Sequence, residues 1–318
     1  MTQKQHSGFS FVTLGTSCAL FLLTFLSAPG LAASAAPAPP IDALEGQLRT
    51  LMSGFAGTVS LYARNLDTGR EVGIDPDRRV RTASTIKLPI ACALAAEVAA
   101  GRASWGERLV IHAQDKVSGS GVLSEFSDGE TVSLRDARNL MIVVSDNTAT
   151  NLILDRIRAD KVNEFMASLG LSATRSMRKI RGDGTQLKPA EGWSLEGEKP
   201  ENKRFGIGAS SPREMVRLLE LLEQGKVVDP ANSRELLAVL ERQQYKDGIG
   251  RRSGDLRVAS KSGSLDALRS DVGVVYTPHG RVAIAITVDD MPKIDYSPDN
   301  PGQILIGELA KALIAGLN

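Results

Sequence analysis

Apolar residues at Ile41, Leu44, Leu48 and Leu51 recur at helical spacing, so the chain after Pro40 predicts an amphipathic helix ending near Gly54. Alternation then takes over: 58–63 and 71–74 read as two strands joined through the turn Asp67-Thr68-Gly69. From Ser84 onward the pattern is helical, with apolar segments at 88–100, 134–144, 148–157 and 162–169 separated by polar or glycine-bearing loops. Strands return at 256–260, 270–276 and 281–288, with Thr277-Pro278-His279-Gly280 as a hairpin turn. Leu305, Leu309, Leu313 and Leu317 then make one stripe on a final helix, 303–317. Strands at both ends with helices between predict an α+β fold. One antiparallel sheet is built from both chain ends, flanked by helices, with an all-α subdomain inserted at roughly 84–225.

The first 36 residues have another character. Lys4 precedes an apolar run at 9–26, followed by Pro29, Gly30 and a small-residue tract at 32–36. This predicts a cleaved signal peptide with an A-x-A-like site at Ala33-Ser34-Ala35, leaving 37–318 as the mature catalytic domain. An uncleaved membrane anchor is the rival, because the run approaches spanning length, but Gly15, Thr16 and Ser17 interrupt it. The expectation is an exported protein, periplasmic or secreted, with no stable membrane insertion after processing. Cys18 would leave with the signal. Cys92 would then be the mature chain's lone cysteine, expected as a buried free thiol without a disulfide.

A formal net charge of +1, scattered basic residues and 4% aromatic content exclude a nucleic-acid surface. No G-x-S-x-G elbow and no H-E-x-x-H motif occurs, and His6, His112 and His279 suggest neither a triad nor a metal site. Neither a metal nor an organic cofactor is expected.

Three short motifs carry the chemistry: Ser84-Thr85-Ile86-Lys87, Ser145-Asp146-Asn147 and Lys261-Ser262-Gly263. A serine hydroxyl near its free pKa is a poor nucleophile and needs a base within hydrogen-bond reach. Where Ser84 opens a helix, Lys87 lies one turn on, on the same face. A lysine serves as base when burial and neighbouring cations lower its pKa, and Ser145 and Lys261 would complete that corner. Each motif has an ordinary reading too: Ser145-Asp146-Asn147 suits a helix cap, and Lys261-Ser262-Gly263 a strand end. A second S-x-x-K, Ser176-Met177-Arg178-Lys179, lacks partners in the expected order.

Order, spacing and local texture, including Ser118-Gly119-Ser120-Gly121-Val122-Leu123, resemble a class A serine β-lactamase across essentially the whole mature chain. The resemblance implies a β-lactamase/transpeptidase-like fold, β-lactam ring opening through a Ser84 acyl-enzyme, and Lys87 as base or relay. Ser145 would pass the proton to the leaving nitrogen, and Asn147 would hold the substrate amide. Lys261 and Ser262, followed by Gly263, would engage the substrate carboxylate, and the N–H groups of Ser84 and Ser264 would form the oxyanion hole. Arg269, shortly after the Lys261 motif, would help bind the carboxylate, and an exposed strand arginine explains it equally well. The partner is a small-molecule β-lactam or a cell-wall peptide, and the expected state is a monomer.

One position departs from the family. Its deacylating glutamate belongs, in an E-x-x-L-N pattern, on an Ω-shaped loop beyond the helix that follows S-D-N. Here 174–184 carries no glutamate, and Asp183, Glu191, Glu196, Glu198 and Glu201 are the carboxylates further on. Slow deacylation is therefore expected. The alternatives are a D-Ala-D-Ala-type peptidase or esterase and a non-turnover penicillin-binding trap or sensor.

Overall fold

The computed structural model describes Gly8, Ser10 and residues 39–318. Apart from Gly8 and Ser10, the expected signal segment, its Ala33-Ser34-Ala35 site and Cys18 lie outside the described residues. Helix α1 (Ile41–Met52) leads into strands β1 (Thr58–Asn65), β2 (Glu71–Ile74) and β3 (Val80–Arg81), and helix α2 (Lys87–Ala99) follows a 3-10 turn at Ala83–Ile86. A hairpin of β4 (Arg108–Ile111) and β5 (Glu130–Ser133) precedes α3 (Leu134–Val143), α4 (Asn147–Ile157) and α5 (Ala159–Ser168). Then come β6 (Arg175–Ser176), α6 (Leu195–Glu198), β7 (Gly208–Ser210), α7 (Pro212–Glu223) and α8 (Pro230–Glu241). The chain closes with β8 (Arg257–Leu265), β9 (Leu268–Thr277), β10 (Gly280–Asp289) and α9 (Pro301–Leu317).

The main sheet runs β2-β1-β10-β9-β8, and its pairings are antiparallel. Alternation along the strands sends side chains into two cores, as the pleat requires. Val282, Ile284, Ile286 and Val288 of β10 join α1 and α9, whereas Ala283 and Ala285 face the helical layer. The leucine stripe of α9 is buried, each side chain worth about 1.5–3 kcal/mol relative to exposure. Both chain ends thus complete one sheet, as expected.

Helix α2 is the centre of the other layer. Residues 87–95 are buried without a polar face, the mark of an internal helix. Pro89 is tolerated because the first-turn N–H groups have no partner within the helix. Cys92 is fully buried and free, and burial pushes its thiol pKa up.

Two differences from the sequence reading matter for the site. The strand expected at 256–260 runs to Leu265 and takes in the whole Lys261 motif, because pairing with β9 overrides the weak strand preference of Ser and Gly. The helical layer also extends past 225 through α8. Beyond α8 lies Gln243, which contacts the end of β8 that carries chemistry.

Candidate active site

Ser84 is the second residue of the 3-10 turn that precedes α2, and Ala83 before it has a left-handed backbone, φ 46°. An L-residue there costs roughly 1–2 kcal/mol, so the surrounding structure over-determines the turn. Strand β8 supplies one constraint. A Cβ added to Gly263 would stand 2.8 Å from the Ser84 nitrogen, 2.8 Å from the Thr82 carbonyl oxygen and 3.0 Å from the Thr85 nitrogen. Only a residue without a side chain lets β8 approach the Ser84 turn this closely.

Lys87, the first residue of α2, is fully buried. Its Nζ lies 2.6 Å from the Ser145 carbonyl oxygen, 3.1 Å from Ser145 Oγ and 2.8 Å from Asn147 Oδ1. Burial, reinforced by the charge of Lys261, holds its pKa well below the ordinary lysine value, while Asp146 opposes the shift. Three acceptor contacts match an ammonium ion. Ser145 Oγ is the one of the three oxygens that also carries a proton, so a neutral Lys87 keeps all three contacts when that hydroxyl turns donor. The contact geometry thus accommodates both the charged and the neutral form of Lys87.

The Ser145-Asp146-Asn147 segment divides its work. Asp146 caps α4 by accepting from Ala149 N at 2.8 Å, and its other oxygen accepts from Val122 N and Leu123 N at 2.6 and 2.8 Å. Ser145, at φ 54°, is turned toward Lys87, and Asn147 Nδ2 donates to the Ser118 carbonyl at 2.8 Å. The cap reading holds for Asp146 alone; its two neighbours reach Lys87.

Lys261 is fully buried on β8, with Nζ 2.7 Å from the Ser262 carbonyl. Burial brings its pKa down to about 7, against the pull of Asp271. The buried Asp271 carboxyl is pushed up to about 6, again mainly by burial. Gln243 is the site residue that sequence reasoning missed. Its Oε1 accepts from Ser262 N at 2.8 Å and Ser262 Oγ at 2.9 Å and lies 3.4 Å from Lys261 Nζ, while Nε2 donates to Ser260 Oγ at 2.9 Å. No motif marks it, although a glutamine in a segment that becomes buried always needs partners.

Ser264, exposed, follows Gly263 on β8 and pairs in register with Arg269. Arg269 is buried, and its guanidinium donates to the carbonyls of Leu265, Leu268 and Asp295 and lies 4.9 Å from the Tyr296 ring. Those contacts tie the hairpin to the loop before α9 and favour a structural role over the expected meeting with a substrate carboxylate.

The glutamate-free stretch is held to α4 at two adjacent residues, by the side chain of Lys179 on Asp155 and by the backbone of Ile180. Asn151 Oδ1 accepts from Ile180 N and Asn151 Nδ2 donates to the Ile180 carbonyl, both at 2.8 Å. Asn151 is one turn beyond Asn147 on the same face of α4, so the clasp brings Ile180 to the Lys87 side of the helix. Of the carboxylates further on, Asp183 is the one beside the site: its N–H donates to Ser118 Oγ at 3.0 Å, and it is exposed. A Cβ on Gly119 would stand 2.8 Å from Asn147 Nδ2 and 3.4 Å from Asp183 Oδ2. Glu191 pairs with Lys179, Glu196 with Lys199, and Glu198 and Glu201 are exposed. The second S-x-x-K does not form a site: Ser176 is buried in β6, and Lys179 pairs with Asp155 at 2.9 Å.

A sheet closed by both chain ends, with a buried lysine joining a serine-bearing turn to the S-D-N segment, defines a protein of β-lactamase/transpeptidase-like fold. Residues 43–317 match the Beta-lactamase enzyme family, and the chain belongs to it. It is 27% identical over 306 residues to the β-lactamase regulatory protein BlaB of Streptomyces cacaoi, covering 86% of this chain and 96% of that protein. Among solved structures it resembles a β-lactamase from Sphaerobacter thermophilus, with a TM-score of 0.74 and 30% identity over 87% of this chain and 97% of that one. It also resembles a point mutant of PBP-A, solved as an acyl-enzyme complex with penicillin G, with a TM-score of 0.72 and 28% identity over 88% and 97%.

Proposed function

We propose that this protein is an exported serine acyl hydrolase that opens β-lactam rings and releases the product slowly. The observation that carries this is a buried lysine corner, Lys87 with Ser145 and Asn147, one helical turn from Ser84, together with an apolar Ile180 at the Asn151 clasp. In acylation Ser84 Oγ–H gives its proton to neutral Lys87 as Oγ bonds the lactam carbonyl carbon. The carbonyl electrons move to oxygen, stabilised by the N–H groups of Ser84 and Ser264, each such donor worth about 3 kcal/mol. On collapse the C–N bond breaks, and the nitrogen takes a proton from Lys87 through Ser145. Asn147 orients the substrate amide, and Lys261 and Ser262 hold the carboxylate beside Gly263.

Deacylation requires water to add to the ester carbon while a base takes its proton, and the ester oxygen returns to Ser84 as a hydroxyl. Ile180 offers no base there. A second reading, a trap or sensor that stays acylated, rests on the same apolar residue and on the likeness to a β-lactamase regulatory protein. A cell-wall peptide would be the natural acyl donor in either case.

Mixing the protein with a chromogenic penicillin should give a stoichiometric burst and then slow turnover, with an adduct on Ser84 in intact-mass spectra. Ser84→Ala should show neither. Brisk steady hydrolysis without an adduct would reject slow deacylation, and an unmodified wild-type protein would reject the acylation site.

A further inference from the structure

Between β1, β10 and the segment leading to Ser84 lies a cleft of about 420 Å³ into which Arg78, Arg79, Arg81 and Arg204 converge. Of these, Arg81 has a carboxylate among the described residues: its Nε and Nη2 donate to the two oxygens of Asp289, Nε at 2.9 Å. Among the described residues, Arg78, Arg79 and Arg204 form no ion pair. Arg79 reaches Asn202 Oδ1 at 3.3 Å, and its Nε is buried without an acceptor. Arg79 and Arg204 both lie over the Phe205 ring, 4.7 and 4.5 Å from its centroid. Two like charges are thus gathered on one ring. The second carboxylate of the cleft, Asp290, accepts from Thr58 Oγ1 at 3.2 Å.

Four guanidinium groups face two carboxylates, and one of those carboxylates is already neutralised. Their forks match the oxygens of phosphate, and an anion among them would relieve the mutual repulsion and supply missing acceptors. A carboxylate has two oxygens to offer and a phosphate three or four, which suits forks arriving from separate segments. We infer that this cleft binds a phosphate-bearing anion. The ligand is either a free phosphate compound or a phosphodiester headgroup. The site does not depend on the Ser84 chemistry, so either reading can fail alone.

The test is calorimetric titration of the full protein with inorganic pyrophosphate at fixed ionic strength, alongside the double variant Arg78→Gln/Arg204→Gln. Both arginines are exposed, so the variant should fold, and unchanged circular dichroism checks this. One saturable site, weakened at least tenfold in the double variant, is expected. A parallel sedimentation with phosphatidylglycerol vesicles, against phosphatidylcholine vesicles, identifies the source: binding of the former, lost in the variant, assigns a headgroup, and pyrophosphate binding alone assigns a free phosphate compound. Absence of saturable binding to either probe, equal binding by the double variant, or equal competition by chloride would overturn the assignment.

Discussion

Gln243→Met removes the hub of the Lys261 strand with little change in volume. Strand β8 is an edge of the sheet, and Ser262 N–H donates to Gln243 rather than to β9. Methionine leaves that buried N–H without an acceptor, which costs about 1–3 kcal/mol. Ser262 Oγ can rotate to another acceptor, and the 3.4 Å approach to Lys261 is weak, so about 2 kcal/mol of stability should be lost in urea unfolding. The same change frees Lys261 and Ser262 to shift, and misplacement near 1 Å can cost roughly a hundredfold in rate. The second-order rate of penicillin labelling should fall at least about tenfold, mostly through weaker binding. Gln243→Glu keeps the acceptor oxygen, so it should recover most of the stability, and its carboxylate should raise the Lys261 pKa and move the alkaline fall in labelling to higher pH. Wild-type stability and labelling in Gln243→Met, or equal impairment in both variants, would refute the positioning role.

Ile180→Glu should place a carboxylate at the Asn151 clasp and speed loss of the penicillin adduct by two orders of magnitude or more, as expected for gaining a general base; an equally long-lived adduct on a folded variant would count against it. Gly263→Ala should abolish labelling and cost about 1–3 kcal/mol, because its Cβ would meet backbone atoms at 2.8 Å that cannot turn aside; wild-type labelling would show that the approach of β8 is not needed. Asp271 has a folded pKa of about 6 against 3.8, so the folded state binds more protons between those values. Its stabilising contribution is full below pH 3.8 and lost as pH rises through about 6; Asp271→Asn should flatten that slope, and an unchanged stability profile would reject the shift. Lys261 has the opposite sign: with a folded pKa of about 7 against 10.5, its burial destabilises fully below pH 7 and is relieved toward 10.5. Loss of its charge above pH 7 should also weaken carboxylate binding, read as a fall in labelling that Lys261→Met does not show.

The elements that alternate or repeat most regularly, β1, β2, β10 and α9, were legible because their apolar residues recur at the strand or helix period, and in β1 and β10 successive residues enter two different cores. The motif residues were legible because their chemistry fixes residue types at short spacing. Gln243 was not: its partners lie 17 to 19 residues on, and only the folded edge of β8 creates the need for it. Arg269 is the opposite case: beside a substrate motif an arginine reads equally as an anion ligand or a strand residue, and only the fold shows it buried with its guanidinium on backbone carbonyls. The left-handed Ala83 and Ser145 were also invisible, because tertiary packing imposes conformations that their residue types disfavour.

Acylation and release make separate demands on this fold. On the proposed reading, acylation needs proton transfer through Lys87, whose buried side chain is bonded to Ser145 and Asn147, so that geometry is fixed by the core. On the same reading, release depends on a side chain carried by a loop segment that is held to α4 by the Asn151 clasp on its backbone and, one residue earlier, by the Lys179–Asp155 pair. Because Asn151 grips the main chain of Ile180, the clasp is indifferent to the side chain presented there, and the loop can offer an apolar group or a carboxylate without disturbing the acylation corner. Lys179 and Arg181 flank that position; Lys179 is already paired, whereas Arg181 donates to the Lys188 carbonyl at 2.6 Å. A carboxylate placed at 180 would therefore sit beside positive charge and stay ionised, which a base requires. On the proposed reading, the choice between turnover and capture falls on residue 180, whose side chain the Asn151 clasp leaves untouched.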